Sequence, residues 1–357
     1  MLSVQTTRAA KLQLGQLPSI AYTARSGRLH HQFYSTVAEK TANPTPNTSD
    51  KTNIFDIRTK VYDETDIRKH DDNQFITHPL FPHPTFSQED CLKVGYEHRP
   101  PRTFGDKMAF RGIELVRGSF DFVTGYKKPK TQADIDSGFK GTRYEMTEGK
   151  WLTRCIFLES IAGVPGAVAS FIRHLHSLRL LKRDKAWIET LLDEAFNERM
   201  HLLTFIKIGK PSWFTRTIIY VGQGVFCNLF FLFYLANPKY CHRFVGYLEE
   251  EAVSTYTHFV HELQSGKLPK FENIKIPTIA WQYWPELTEN SSMLDLILRI
   301  RADEAKHREV NHTLANLDQR KDRNPFGLAI PDLKEPQPES GLKVTKPHGW
   351  EKEELKL

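Results

Sequence analysis

NERMH at residues 197–201 and RADEAKH at residues 301–307 each place a glutamate three residues before a histidine, as Glu198/His201 and Glu304/His307. Both stretches sit in helical patterns, where a three-residue step keeps two side chains on one face. A further helical glutamate precedes each pair, Glu159 in LESIAGVPG (158–166) and Glu249 in LEEEA (248–252). The order Glu, Glu-x-x-His, Glu, Glu-x-x-His is what a four-helix bundle needs to enclose a pair of metal ions between carboxylates.

The spacing alone is weak, since about one Glu-x-x-His is expected by chance in such a chain, and Glu309/His312 is indeed a third. Helical phase separates them. Glu309 lies about 140° round the helix from Glu304, whereas Met293, Ile297, Ile300 and Ala315 share the face of Glu304 and His307. Glu309 and His312 are therefore expected on the solvent side. By the same test Leu191, Ala195, Leu202 and Phe205 flank Glu198 and His201, and Leu152, Cys155, Ile156, Ala162 and Gly166 flank Glu159. Val245, Ala252, Val253, Tyr256 and Val260 select Glu249 from three consecutive acids, leaving Glu250 and Glu251 as a surface pair or as groups behind the ligands. A charge centred on an apolar stripe costs several kcal/mol unless it is paired or binds metal. Buried ion pairs would need cations that these faces lack. Four carboxylates and two imidazoles neutralise two iron(II) ions and leave positions open, as an oxygen-activating site requires.

The 357 residues, 26% charged and 39% hydrophobic, suit a mainly globular chain. A net charge of +6 is too mild to call for nucleic acid as a partner. The four cysteines form no C-x-x-C pair, which favours a reduced compartment; Cys91 would have a redox role open to it only at the surface. Residues 1–38 carry Arg8, Lys11, Arg25 and Arg28, no acid before Glu39 and no compact apolar core, the composition of a mitochondrial transit peptide. Residues 39–104, with Pro79, Pro82, Pro84, Pro100 and Pro101, read as an extended arm, and 321–357, with five prolines from Pro325 to Pro347, as a flexible tail.

Between them, in 105–320, Ile113, Val116, Phe120 and Val123 mark a first amphipathic helix, and further helices are predicted at about 150–177, 184–207, 213–236, 240–265 and 290–317. Pro165 is expected to kink the second helix without ending it. From Thr217 to Pro238 no residue is charged, a length that would cross a bilayer. A single crossing would put Glu198 and His201 on one side and Glu249 on the other, so the four helices could not close round one metal pair. Gly222, Gln223, Gly224 and Asn228 also suit a lipid-facing span poorly. The consistent solution is a helix lying in one leaflet beside the first helix, with Arg111, Arg117, Arg216, Lys239 and Arg243 available for anionic headgroups.

LESIAGVPG, NERMH, LEEEA with the following TYTH (255–258), and RADEAKH occur in order over roughly 105–320. They closely resemble the mitochondrial alternative oxidases, in particular the fungal form. The resemblance implies an all-α, ferritin-like di-iron four-helix bundle with two additional interfacial helices. It implies a non-haem ubiquinol oxidase that passes electrons from ubiquinol to O2 and makes water, cyanide-resistant and without proton pumping. The expected setting is the matrix-facing leaflet of the mitochondrial inner membrane, as a homodimer. Glu159, Glu198, His201, Glu249, Glu304 and His307 carry over as ligands of two iron ions, and Tyr256 as the redox-active tyrosine. Arg154, Leu158, Glu251, Ala252 and Thr255, with Arg117, match the quinol pocket; Asn197, His242, Trp284 and Asp303 match groups that orient the ligands. His242 would serve equally as a helix cap. The stretch 127–148 departs from the family's register, and Cys91 does not match the regulatory cysteine of plant members, so no thiol or keto-acid regulation is implied. A plastid-type quinol oxidase or a di-iron quinone hydroxylase would use similar ligands, but the leader and the motif context disfavour both. An iron-storage or scaffold protein would need neither a lipid-facing pocket nor a redox tyrosine.

Overall fold

The structure, a computed structural model, describes residues 56–70, 79–327 and 335–356; the expected leader, 1–38, lies outside the described residues. Six long helices carry the architecture. Helix α1 (Phe104–Thr124) opens on a reciprocal cap between Thr103 and Asp106 and closes at Gly125, whose φ of 63° suits a residue without a Cβ. Helix α2 spans Glu148–Leu180 and continues past Pro165. Helix α3 is Trp187–Ile208 and α4 is Trp213–Ala236, started by the Ser212 hydroxyl. A single residue, Asn237, then ends α4 and caps α5 (Pro238–Gln264), with Pro238 in the first turn where its missing amide does no harm. Helix α6, Met293–Leu314, starts at a second reciprocal cap, Ser292 with Asp295.

Helices α2 and α3 pack as one pair and α5 and α6 as another; the pairs face each other to make the four-helix bundle, with α4 laid over α2 and α5, and α1 over α5. Both pairings depend on a missing side chain. A Cβ on Gly166 of α2 would sit 2.6 Å from the Leu191 carbonyl oxygen of α3, and one on Gly163 would meet the Glu198 Cβ at 3.4 Å. A Cβ on Gly246 of α5 would strike the His312 ring of α6. Backbones therefore approach at close range where the acids must converge. Apart from the short antiparallel pairing of Lys60–Val61 with Gly209–Lys210, the described architecture is helical.

Helices α1 and α4 keep an apolar face uncovered. Only Thr215, Phe230 and Tyr234 of α4 are buried, while Tyr220, Val221, Val225, Leu229, Leu232 and Leu235 are exposed. On α1, Leu115 and Phe122 are 74% and 73% exposed. The polar groups of α4 are satisfied inward or locally: Gln223 donates to the Ser160 carbonyl of α2 at 2.7 Å, and Asn228 to Gly224 at 2.8 Å.

Several expectations are corrected by how the chain packs. Glu309 and His312 do not face solvent; they are 1% and 0% exposed. The phase that turned them from the centre was sound, but chain distant in sequence covers that face. Trp350 Nε1 donates to Glu309 at 2.6 Å, the Lys346 amide donates to the same carboxylate, and Gly349 lies against His312. Residues 335–356, expected as part of a flexible tail, thus include a segment packed on α6, with Trp350 only 3% exposed. From the other side His98 Nδ1 lies 2.6 Å from Glu250, whose second oxygen is 2.8 Å from His312 Nε2. Glu250 is accordingly buried. Cys91, in the short helix Gln88–Lys93, is not at the surface but fully buried, and its thiol pKa is pushed up to about 11 by that burial. Arg243 is not free for headgroups: its Nε donates to Asp106 at 2.9 Å, which pins α1 to α5.

Candidate metal centre

The six expected ligands converge inside the bundle. Glu159 comes from α2, Glu198 and His201 from α3, Glu249 from α5, and Glu304 and His307 from α6; none is more than 6% exposed. Their donor atoms form two overlapping sets, Glu159, Glu198, His201 and Glu304, and Glu198, Glu249, Glu304 and His307, each within 4.8 Å. Glu198 and Glu304 belong to both, so either would be within reach of two ions.

Three observations test whether a metal pair fits. Both oxygens of Glu198 and of Glu304, together with Glu249 Oε2, are buried and have no hydrogen-bond partner among the described residues. His307 Nδ1 stands 2.7 Å from Glu198 Oε1 without the alignment of a hydrogen bond, so both atoms address a common point beside them. Burial, reinforced by the charges of Glu198 and Glu304, pushes the Glu159 carboxyl well above its ordinary range, and burial with the same two neighbours does so for Glu249. Four carboxylates so close cannot all ionise without cations between them. The oxygen-rich, imidazole-containing donor set suits two first-row divalent ions.

Behind His201 stands a dense support. Asp303 Oδ2 lies 3.0 Å from His201 Nε2 and accepts from Trp284 Nε1 at 2.9 Å and Asn197 Nδ2 at 3.3 Å. Its other oxygen is 2.7 Å from His83 Nε2. Burial opposes ionisation of Asp303, yet His83 and His201 hold its carboxyl far below the usual range. With a metal bound, an ionised Asp303 accepting from His201 Nε2 would leave Nδ1 to ligate it. His83, from the proline-rich arm, and Tyr283, which accepts from Asn197 at 2.9 Å, were not anticipated. His242 does not cap α5. It sits between Tyr234 at 3.1 Å and Asn311 at 3.1 Å, and Asn311 donates to both oxygens of Glu194 at 2.9 Å. A cavity of 90 Å³ beside His307 is lined by Glu194, Asn197, Asp303 and Lys306. Burial raises the Glu194 carboxyl to about 7.

Tyr256 is fully buried on α5, and its hydroxyl donates to Glu159 Oε1. Burial first, then the neighbouring Cys155 and Glu159, keeps it a phenol far above its ordinary pKa.

A sequence profile for alternative oxidase matches residues 86–316. A mitochondrial alternative oxidase of Wickerhamomyces anomalus is 65% identical over 322 residues, which is 89% of this chain and 94% of that protein. The mitochondrial alternative oxidase 2 of Candida albicans is 66% identical over 313 residues, covering 87% and 84%, and a mitochondrial alternative oxidase of Emericella nidulans is 52% identical over 274 residues, 76% of each. The chain belongs to the alternative oxidase family. It is an oxidoreductase of mostly helical fold, and its buried glutamates and histidines form a set able to bind metal.

A second feature of this alternative oxidase lies on the side of α1. Arg117, Arg154, Leu158, Glu251 and Thr255 line one pocket of 110 Å³ with Ile113, Val116, Phe120, Phe157 and Leu248. Ala252 is buried but is not among the lining residues. Arg154, far from an ordinary surface arginine, is 2% exposed. Its Nη2 lies 2.7 Å from Asp121 and 3.4 Å from the Thr255 hydroxyl, its Nη1 3.0 Å from Thr124, and the guanidinium stacks 3.7 Å over Tyr126. Arg117 pairs with Glu251 at 2.8 Å, and Lys128 reaches the other oxygen of Glu251. Asp121 and Tyr126 escaped the sequence reading, although Asp121 follows Arg117 by the four-residue step of a helical ion pair.

Proposed function

We propose that the chain is a ubiquinol oxidase that reduces O2 to water with the electrons of two quinols per turnover, cyanide-resistant and without proton pumping. The supporting observation is one of placement: the α1-side pocket ends at Leu158 and Thr255, the residues immediately before Glu159 and Tyr256, which are joined by a hydrogen bond. A quinol head in the pocket is thus one residue step from the metal ligands. Two iron ions held by Glu159, Glu198, His201, Glu249, Glu304 and His307 would supply the electron exchange with O2. Arg154, fixed by Asp121, Thr124 and Thr255, would orient a quinol oxygen, and the walls of Ile113, Val116, Phe157 and Leu248 would keep water from the ring. The Tyr256 phenol would hold a proton at its hydroxyl against Glu159 and release it with an electron. Glu251, paired to Arg117 and Lys128, would stand at the rim.

Quinol carries a hydrocarbon tail, so it would enter from lipid. The uncovered apolar faces of α1 and α4 support association with one leaflet, the matrix-facing one of the mitochondrial inner membrane. The acid-free leader and the relatives named mitochondrial support that location. A homodimer would be consistent with the exposed row Phe171, Leu175 and Leu178 on α2. The test is quinol-dependent oxygen uptake by membranes containing the chain, measured with cyanide present. Uptake insensitive to cyanide is expected; iron uptake without quinol oxidation would replace the oxidase with a storage protein.

A further inference from the structure

Away from the metal centre, the C-terminal ends of α2 and α4 and the turn after α6 enclose a cavity of 550 Å³. Its floor is internally satisfied. Arg173 holds both oxygens of Asp184, at 3.1 and 2.9 Å, and stacks 4.4 Å over Trp187; Lys185 donates to the Lys321 carbonyl. The carboxylate of the lining is thereby neutralised. Three cations remain: Lys182, Arg183 and Arg320 line the same cavity, are exposed, and have no ion-pair partner among the described residues. Ile172, Leu180 and Leu235 give the same lining a hydrocarbon side. Leu235 also ends the uncovered face of α4, next to Leu232.

Unpaired cations and apolar side chains in one lining call for an anion that carries hydrocarbon. A free phosphate would satisfy Lys182, Arg183 and Arg320 and leave the leucines wet; a neutral lipid would do the reverse. We propose that this cavity is a specific site for an anionic phospholipid, its phosphate against Lys182, Arg183 and Arg320 and an acyl chain along Leu180 and Leu235. The site rests on the one-leaflet association proposed above, because only then does it open at headgroup depth. It would hold the ends of α2 and α4 at a fixed height in the interface, and none of its residues lines the quinol pocket or the metal centre.

The test compares the full-length metal-loaded protein with a Lys182→Gln/Arg183→Gln/Arg320→Gln variant, on phosphatidylcholine vesicles with and without phosphatidylglycerol. The wild type is expected to bind the anionic vesicles more tightly than the neutral ones. The variant should lose roughly fivefold per cation removed, on the order of a hundredfold in all, while keeping neutral-vesicle binding and quinol oxidation in detergent. A variant that retains the full preference for phosphatidylglycerol overturns the site. Wild type that binds neutral vesicles but gains nothing from phosphatidylglycerol overturns the site alone; wild type that binds neither overturns the one-leaflet reading with it. Displacement of the protein from anionic vesicles by equimolar glycerol 3-phosphate would reassign the cavity to a soluble phosphate.

Discussion

The two halves of the metal centre use the same ligand types and differ in what stands behind them. His201 is backed by an ionised carboxylate, Asp303, itself gripped by Trp284, Asn197 and His83, and its partner Glu159 receives the Tyr256 hydroxyl. His307 borders a cavity, Glu249 Oε2 has no hydrogen-bond partner among the described residues, and the groups behind are Glu194, Asn311 and a His242 whose burial keeps it neutral. Equal ligands therefore do not make equal positions. One is held by charge and a redox-capable phenol, the other by a histidine that burial keeps neutral and by Glu194, whose carboxyl burial raises to about 7.

The largest effect should come where the halves share a ligand. Glu304→Ala, or Glu198→Ala, should abolish oxygen uptake and bound iron together; iron analysis showing a full pair would end the assignment of these acids to both positions. Tyr256→Phe touches one half only and should lower turnover by about 10²-fold or more with iron content unchanged, which a combined assay of uptake and iron would reveal. Asp303→Ala should weaken metal at the His201 position by about 10–100-fold and spare the other, so that iron titration becomes biphasic. A single unchanged phase would mean that the supports do not distinguish the halves. The smallest effect concerns the neutral support. His242 has its pKa lowered from 6.5 to about 4 by burial, so its contribution to stability is present above pH 6.5 and lost as pH falls toward 4. That loss is at most about 3 kcal/mol, and His242→Gln should flatten it in urea midpoints taken across the window.

The convergence of the six acids and imidazoles was legible because each sits on the apolar stripe of a long helix, where phase singles out one acid among several, as it did Glu249 among three. The same reasoning failed at Glu309 and His312, since phase says which way a side chain turns and not what will cover it. Their cover, His98 on one side and Trp350 on the other, comes from proline-rich chain without periodicity. His83 was invisible for the same reason. Asp121 and Tyr126, which fix Arg154, were missed because α1 reads as a surface helix, and its polar contacts become apparent only once α2 lies beside it.

At Gly163 and Gly166, α2 has nothing but hydrogen facing α3. These two positions act as a gauge block: they set how far Glu159 stands from Glu198, and hence the width of the slot in which the metal pair must fit. A one-carbon change at Gly166, 2.6 Å from a backbone oxygen that cannot yield, would widen that slot without altering a single donor atom. A survey that inspects only the donors would pass such a chain as intact.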